Sequence, residues 1–568
     1  MKKITGIVLF LFSLVLTASA QQKITGTITS NKDGSPVGGA SVMVKGTSIG
    51  SVSNDDGTYS ITVPAGSTTL VFSAVGMAQV EKAIGNATTI DVSLEPTGNT
   101  YDEVVVVGYT TSKKGDLVGA VSTLKVNETF KGRPATLGNM LQGQLPGVVV
   151  TNSGDPTSTG SIAIRGKGNK NGDAVLFVVD GVPNAPYNPA DIETVTVLKD
   201  ASSAAIYGAL AGSGGVVLIT TKQAKAGKMK VDVNGWGGFQ QAWRTPKVLT
   251  SEQFNKVWAD ASAAAGRPLP NPTYDPIQFP YGNVTRTDWV DEIFQRGKMQ
   301  HYDLTIRGGS GSMKALASVS YDEVEGAIIT TKNKKLTSRL NLDVNLTKWL
   351  EVSQHTLFDF NNGRSGIGDG HTGVIFGAMA YPRFATVREY DADGNELYGG
   401  TVPRWALADG FSVEADLRNP VAMLEKVLQN NPSNRLFSKT SLRIKPLPGL
   451  QFRSEIANEI SNSRGESFQM RFLEPGRTID QNYRTISNSL NTSYNWDNIL
   501  TYNKTFNSVH DLQVLAGFVV SNRERRYNWA EVKNYAIESP YQAIFNLGSD
   551  WSTRPTESIE QERLVSAL

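Results

Sequence analysis

The chain has 568 residues, no cysteine, and a formal charge of +2 from 55 basic and 53 acidic side chains. That length calls for several domains. The absence of thiols excludes disulfides, thiol catalysis and thiolate metal sites, and the near-neutral balance gives no sign of a nucleic-acid partner.

The N-terminus carries Lys2 and Lys3, then an apolar run from Ile4 to Leu16, then Ala18-Ser19-Ala20. A basic start, a short apolar core and a small-residue site make residues 1–20 a cleavable export signal. No later stretch holds about 18 uninterrupted apolar residues, so a membrane role has to come from alternating strands.

Residues 21–96 read as an all-β module. Strand-like runs ITGTIT, SVMVKG, TYSITV, TLVFSAV and IDVSLEP are separated by turns such as Asp33-Gly34 and Asp56-Gly57, the spacing of a small sandwich. The module has no histidine, so no His/Glu/His metal set exists in it. Asn54-Asp55-Asp56-Gly57 is read as a turn former rather than a calcium loop.

Residues 97–111 form a linker and an unusual apolar stretch, Asp102-Glu103-Val104-Val105-Val106-Val107-Gly108. Four consecutive valines favour extended backbone. Such a segment either adds a strand to a neighbouring domain or pairs with a partner chain through its main chain.

Residues 112–227 alternate short β-branched runs with short helix-like pieces, the pattern of a small α/β unit. The blocks occur in order as LQGQLPGV, IRG, FVVDGVP, VLKDASSAAIYG and GVVLITTK. They resemble the plug domain of SusC/RagA-type TonB-linked outer-membrane transporters. DEVVVVGY resembles that family's energy-coupling TonB box. Residues 21–96 resemble the carboxypeptidase-regulatory-like sandwich that precedes the plug, through Pro36, Gly39-Ala40, Val42, Gly46-Thr47, Gly50, Asp56-Gly57 and Tyr59. The resemblance departs at Ala209–Gly215, where the family's basic side chain is missing. Within the plug, Arg165, Asp180, Lys199 and Asp200 are expected to form structural ion pairs, inside the plug or against a wall. Asp200 or Ser202 is also placed to cap a short helix. Gly166–Gly172 lacks the spacing of a phosphate loop.

Residues 228–568 carry period-two alternation. Leu340, Leu342, Val344 and Leu346 alternate with Arg339, Asn341, Asp343 and Asn345, and eight further runs behave alike. One apolar and one polar face suit the wall of a transmembrane barrel. Trp236, Trp349, Trp496, Tyr494 and Tyr502 are assigned to its aromatic girdles. Residues 250–266 and 287–295 read as helices in the connection after the first wall strand. His301, His355, His371 and His510 are scattered, giving no metal site and no catalytic triad.

The expected fold is therefore mainly β: an N-terminal β-sandwich, an α/β plug domain and an incomplete transmembrane antiparallel β-barrel. The resemblance implies no enzyme and no cofactor, but a TonB-dependent importer of oligosaccharides or peptides across the cell outer membrane, its sandwich and TonB box in the periplasm. It implies energy from TonB with ExbB and ExbD, a SusD-like surface lipoprotein as partner, and outer-membrane lipids around the wall. It also implies twenty-two wall strands, against nine runs found, so the 568 residues are expected to be a fragment of a longer transporter. A TonB-linked signalling receptor and a secreted β-rich adhesin are the alternatives.

Overall fold

The computed structural model describes residues 22–31, 34–47, 49–64, 66–74, 77–95, 104–107, 110–113, 120–126, 136–152, 154–166, 175–204, 207, 211, 214–266, 284–366, 373–390, 393, 395–396, 398–399, 402–403, 417–472, 479–506, 510–539 and 543–567. The expected export signal, residues 1–20, and the Gly166–Gly172 loop, beyond Gly166, lie outside them. The chain divides into two compact units, 1–118 and 119–568.

The first unit holds two facing sheets. β1 (Gln22–Ser30), β4 (Thr58–Val63) and β7 (Val92–Leu94) form one; β2 (Ser41–Val44), β3 (Gly50–Val52), β5 (Thr69–Ser73) and β6 (Val80–Ala83) form the other. Alternate residues point inward, so Ile24, Ile28, Val42, Ile61, Leu70 and Phe72 are buried together. Each such side chain contributes about 1.5–3 kcal/mol of burial. Tyr59 lies edge-on to Phe72 and donates its hydroxyl to the Ile90 carbonyl oxygen at 2.8 Å. Burial pushes the Tyr59 phenol up to about 12. The Asp56 turn is closed by its own carboxylate, which accepts from the Thr58 amide and hydroxyl at 2.9 and 2.6 Å.

β8 (Val104–Val107) pairs antiparallel with β9 (Thr110–Lys113), Val105 opposite Ser112. Among the expected coupling residues, Val104, Val105, Val106 and Val107 are thus extended. Asp102, Glu103 and Gly108 lie outside the described residues.

The second unit opens with the α/β plug. Its sheet runs β10 (Val121–Lys125), β15 (Ile192–Leu198), β16 (Val216–Thr221), β13 (Leu176–Val179) and β14 (Val182–Pro183), with β13 and β16 parallel. A separate hairpin of β11 (Val148–Thr151) and β12 (Ser161–Ile164) packs with α1 (Leu137–Leu141). The continuous apolar runs of β15 and β16 bury Val195, Val197, Val217 and Ile219, as strands covered on both faces do.

Around the plug stands one antiparallel sheet of ten strands in sequence order: β17 (Gly227–Gln240), β18 (Gly297–Gly309), β19 (Met313–Glu325), β20 (Lys332–Asn345), β21 (Leu350–Arg364), β24 (Val427–Leu447), β25 (Leu450–Gln469), β26 (Tyr483–Phe506), β27 (His510–Tyr535) and β28 (Gly548–Ala567). β17 and β28 are its edges, and no pairing joins them among the described residues. The tenth strand, β28, is absent from the sequence expectation because GSDWSTRPTESIEQERLVSA has almost no apolar alternation. Val233, Val319, Leu340, Ile460, Val514 and Phe518 are exposed on the outer face, the band that lipid would cover.

Strand connections differ at the two rims. Ser310–Ser312, 346–349 and 448–449 are short turns, whereas 241–296 and 365–426 are long. The long ones contain α3 (Ser251–Ala264), α4 (Trp289–Ile293), α5 (Val374–Ala380), the small hairpin β22 (Tyr398–Gly399) with β23 (Val402–Pro403), and α6 (Pro420–Glu425). α3 begins at the reciprocal pair Thr250 and Gln253, a capping box. Trp289, Ile293, Tyr381, Phe384 and Leu424 give these connections a core of their own.

Candidate functional site

The inner face of the wall is set by register. Arg339 on β20 stands opposite Ser318 on β19 and Leu357 on β21, and both point inward with it. This row and the next, Asn341 to His355 to Lys439, form the seat for the plug.

Arg339 is the centre of that seat. Its guanidinium lies 3.6 Å from Asp180 and 3.7 Å from Asp191, both plug carboxylates, and donates to the Thr221 hydroxyl and to Asn341 Oδ1. Asp180 follows the apolar strand β13 in a left-handed conformation (φ 46°), which turns its carboxylate toward Thr221, whose amide donates to Oδ1 at 2.9 Å. Asp191 closes a short 3-10 turn that begins at Pro189. Burial holds the Asp191 carboxyl above the usual carboxylate range, while Arg339 and then Lys222 pull it back. Lys439 Nζ donates to the Asp180 carbonyl oxygen at 2.9 Å and lies 3.6 Å from Glu455. Asn188 donates to Ser320 at 2.7 Å.

The other charged plug residues serve different ends. Lys199 donates to the Pro146 carbonyl oxygen at 2.5 Å. Asp200 accepts from the Ser203 amide at 2.9 Å, capping the short helix α2 (Ala201–Ala204), and from the Ala120 amide at 2.6 Å. Arg165 stands just past β12 with φ 57°, its amide donating to the Gly147 carbonyl oxygen at 2.7 Å. Of the four plug residues singled out in the sequence, Asp180 faces the wall's arginine, while Lys199 and Asp200 bond to backbone groups and the Ser203 hydroxyl within the plug. Arg339, Asp191, Lys439 and Glu455 went unremarked as site residues, because their meeting depends on strand register across more than a hundred residues.

Toward the rim with the long connections, wall and plug separate around a cavity of about 670 Å³. One register row crosses its wall: Trp236, His301, Asp322, Lys335, Asn361, Ser433 and Ser463, one residue from each of seven consecutive strands. The plug supplies Asn152, Gly154 to Thr159, Phe177 and Asn184 to Ala190. Tyr187 is half-buried, and desolvation pushes its hydroxyl up to about 12. Trp236 corrects the girdle assignment. It stacks on His301 at 5.6 Å with the rings 21° apart and faces the lumen, because its register neighbour Asn234 and partner His301 define the inner face. Trp496 and Trp349 are exposed. The described residues contain no group of His, Cys, Asp or Glu that would hold a metal ion.

Comparison with known proteins places this geometry. Residues 24–106 match the CarboxypepD_reg-like domain, and residues 113–216 the TonB-dependent Receptor Plug Domain. TonB-dependent receptor P3 of Formosa agariphila is 30% identical over 580 residues, 99% of this chain and 54% of that protein. TonB-dependent receptor SusC of Bacteroides thetaiotaomicron is 30% identical over 533 residues, 87% of this chain and 49% of that protein. The solved RagAB peptide importer in its open-open state shares the fold, with a TM-score of 0.67 at 24% identity over 82% of this chain and 54% of that one. The chain spans about half the length of the curated relatives it matches. Its order of parts, a carboxypeptidase-regulatory-like sandwich, a receptor plug and a large antiparallel sheet, is that of SusC/RagA-type TonB-dependent receptors.

Proposed function

We propose that this chain serves TonB-dependent import of oligosaccharides or peptides across the outer membrane, with a SusD-like surface lipoprotein delivering substrate. The observation that carries the reading is the plug seated on the polar inner face of the wall, with a cavity left on the long-connection side. Outer-membrane barrels keep short turns in the periplasm and long loops outside. On that rule the cavity faces the exterior and holds substrate, while the plug blocks the path behind it.

Passage then requires the plug to leave its seat, and the seat is held by buried charge contacts that thermal motion seldom breaks. The work comes from TonB, driven by ExbB and ExbD, pulling on a strand formed by residues 102–108. Val104–Val107 is already extended and uses one edge against β9. Its other edge offers main-chain groups for strand addition. The sandwich and this segment lie in the periplasm on this reading, and Arg165, Asp180, Lys199 and Asp200 keep the resting plug in shape.

The test is Val105→Pro in cells expressing the chain. Proline removes one backbone donor and fixes φ, so strand addition is lost. Uptake of labelled substrate is expected to fall at least tenfold while binding to whole cells persists. Uptake equal to the parent, or uptake that survives loss of TonB, overturns the reading.

A further inference from the structure

We propose that Trp236, held by the His301 pair of carboxylates, is a stacking platform in the lumen that selects an uncharged, hydroxyl-rich ring ligand, a neutral oligosaccharide, over a peptide. This rests on the import reading above and narrows its substrate.

The first observation is the support beneath Trp236. His301 Nδ1 lies 2.6 Å from Asp322 Oδ1, and Nε2 lies 3.2 Å from Asp303 Oδ1. An ionised carboxylate only accepts hydrogen bonds, so satisfying both contacts requires a proton on each ring nitrogen. The imidazole is then a cation fixed at both ends, buried at 6% exposure. Trp236 stacks on it at 5.6 Å and 21°. A cation against an indole face is favourable, and it fixes the ring with little rotamer freedom to lose when a ligand arrives.

The second observation is the charge inventory of the cavity. The ionisable groups with ordinary carboxylate, imidazole or cationic heads that line it are Asp155, His301, Asp322, Lys335, Asp359 and Arg435. Each already has a partner. Lys335 lies 3.6 Å from Asp359, and Arg435 3.3 Å from Glu459. Asp155 accepts from the Thr157 amide at 2.7 Å and from the Ser365 hydroxyl. A peptide's terminal ammonium and carboxylate would have to displace one of these pairs, with a loss for the group left behind.

The third observation is the uncharged polar lining. The same lining holds eight asparagines, among them Asn152, Asn184, Asn361 and Asn491, together with serines and threonines. Amides and hydroxyls both donate and accept, which matches sugar hydroxyls that do the same. The apolar face of a pyranose ring has a counterpart in Trp236, with Phe177 also on the lining. The cavity's roughly 670 Å³ is of the size that takes a small-molecule ligand.

The experiment uses the whole chain purified from outer membranes in detergent. It is incubated with two probes in parallel, a mixture of neutral oligosaccharides of five to eight rings and a tryptic peptide mixture, and bound species are identified by mass spectrometry. Oligosaccharides are expected to be retained and peptides not. Trp236→Ala is expected to weaken retention at least tenfold, Trp236→Phe to keep it within about threefold, and His301→Phe to fall between. Retention of peptides in place of oligosaccharides, retention of neither, or unchanged binding by Trp236→Ala overturns the inference. TonB-dependent uptake of peptides, unaltered by Trp236→Ala, would remove the platform while leaving the import reading intact; uptake that ignores TonB removes the import reading instead.

Discussion

Arg339→Met tests whether the plug is held to the wall by charge. The substitution keeps most of the side-chain volume and removes the guanidinium that lies between Asp180 and Asp191. Asp191 stays buried and Asp180 half-buried without it, and breaking one side of a buried ion pair costs about 3–5 kcal/mol. The 3.6 and 3.7 Å separations are longer than direct hydrogen bonds, which places the effect near the low end. About 3 kcal/mol corresponds to a rise of at least a hundredfold in the population of unseated plug. The chain has no cysteine, so a single reporter thiol can be introduced cleanly. Ala457 is 3% exposed on the inner face of β25 and packs within the plug's apolar core. In outer-membrane preparations carrying Ala457→Cys, maleimide labelling, normalised to free cysteine, is expected to accelerate about a hundredfold with Arg339→Met. Adding Asp191→Asn is expected to recover part of the loss. The pH dependence has a defined sign. Burial raises the Asp191 pKa, so the seated state prefers the protonated carboxyl. The penalty for its charge is full above the raised pKa and vanishes below the ordinary value near 4. Labelling of Arg339→Met at pH 5 is therefore expected to be slower than at pH 7, by a larger factor than in the parent. Labelling within twofold of the parent at pH 7 would refute the charge-held seat.

Three further outcomes follow from the sandwich and the outer connections. A Cβ at Gly26 would stand 2.0 Å from the Ile90 carbonyl oxygen, so Gly26→Ala in an isolated 21–96 module is expected to cost at least about 2 kcal/mol and to lower its Tm by about 10 °C. The Asp91 carboxylate accepts from the Thr27 amide and hydroxyl, and Asp56 from those of Thr58; these bonds hold both pKa values below the ordinary range. Stability they add is present above about pH 4 and is lost as pH falls through the lowered values, so Asp91→Asn is expected to flatten the acid limb of a pH-denaturation profile. Thr250→Val removes one half of the α3 capping box, and a loss of about 1 kcal/mol in local stability is expected to appear as faster hydrogen exchange in residues 251–255 alone.

The parts of this fold that were legible in sequence are those that depend on neighbours close along the chain. Period-two alternation located nine wall strands, because each must turn apolar side chains one way and polar ones the other. β28 escaped because polar residues occupy both of its faces: Glu560 and Glu562 stand opposite Arg525 and Arg523, and on the other face Arg563 and Gln561 stand opposite Asn522 and Glu524. Capping chemistry at Thr250 located α3. Trp236 was misplaced for a related reason. The β17 run GKMKVDVNGWGGFQ has glycine on both sides of the tryptophan, so alternation is silent there and only pairing with β18 settles the face.

Long-range register is what turns these strands into a site, and it follows from a rule that no single strand displays. Shifting one strand by a residue would move its whole inner set to the outer face. The wall therefore tolerates little slippage wherever a polar inner set has partners on the plug. Arg339 and Lys439 meet Asp180 from two different wall strands. Each contact fixes its strand against the plug as well as against its neighbour, so plug and wall constrain one another's register. In the rows above the seat Ser320 still accepts from the plug's Asn188, while other inner side chains pair with one another, as His301 does with Asp303 and Asp322, and Lys335 with Asp359. The same sheet thus provides a charge-held seat in one pair of rows and, further along the same strands, a cavity whose charged groups are paired and whose lining is rich in amides and hydroxyls.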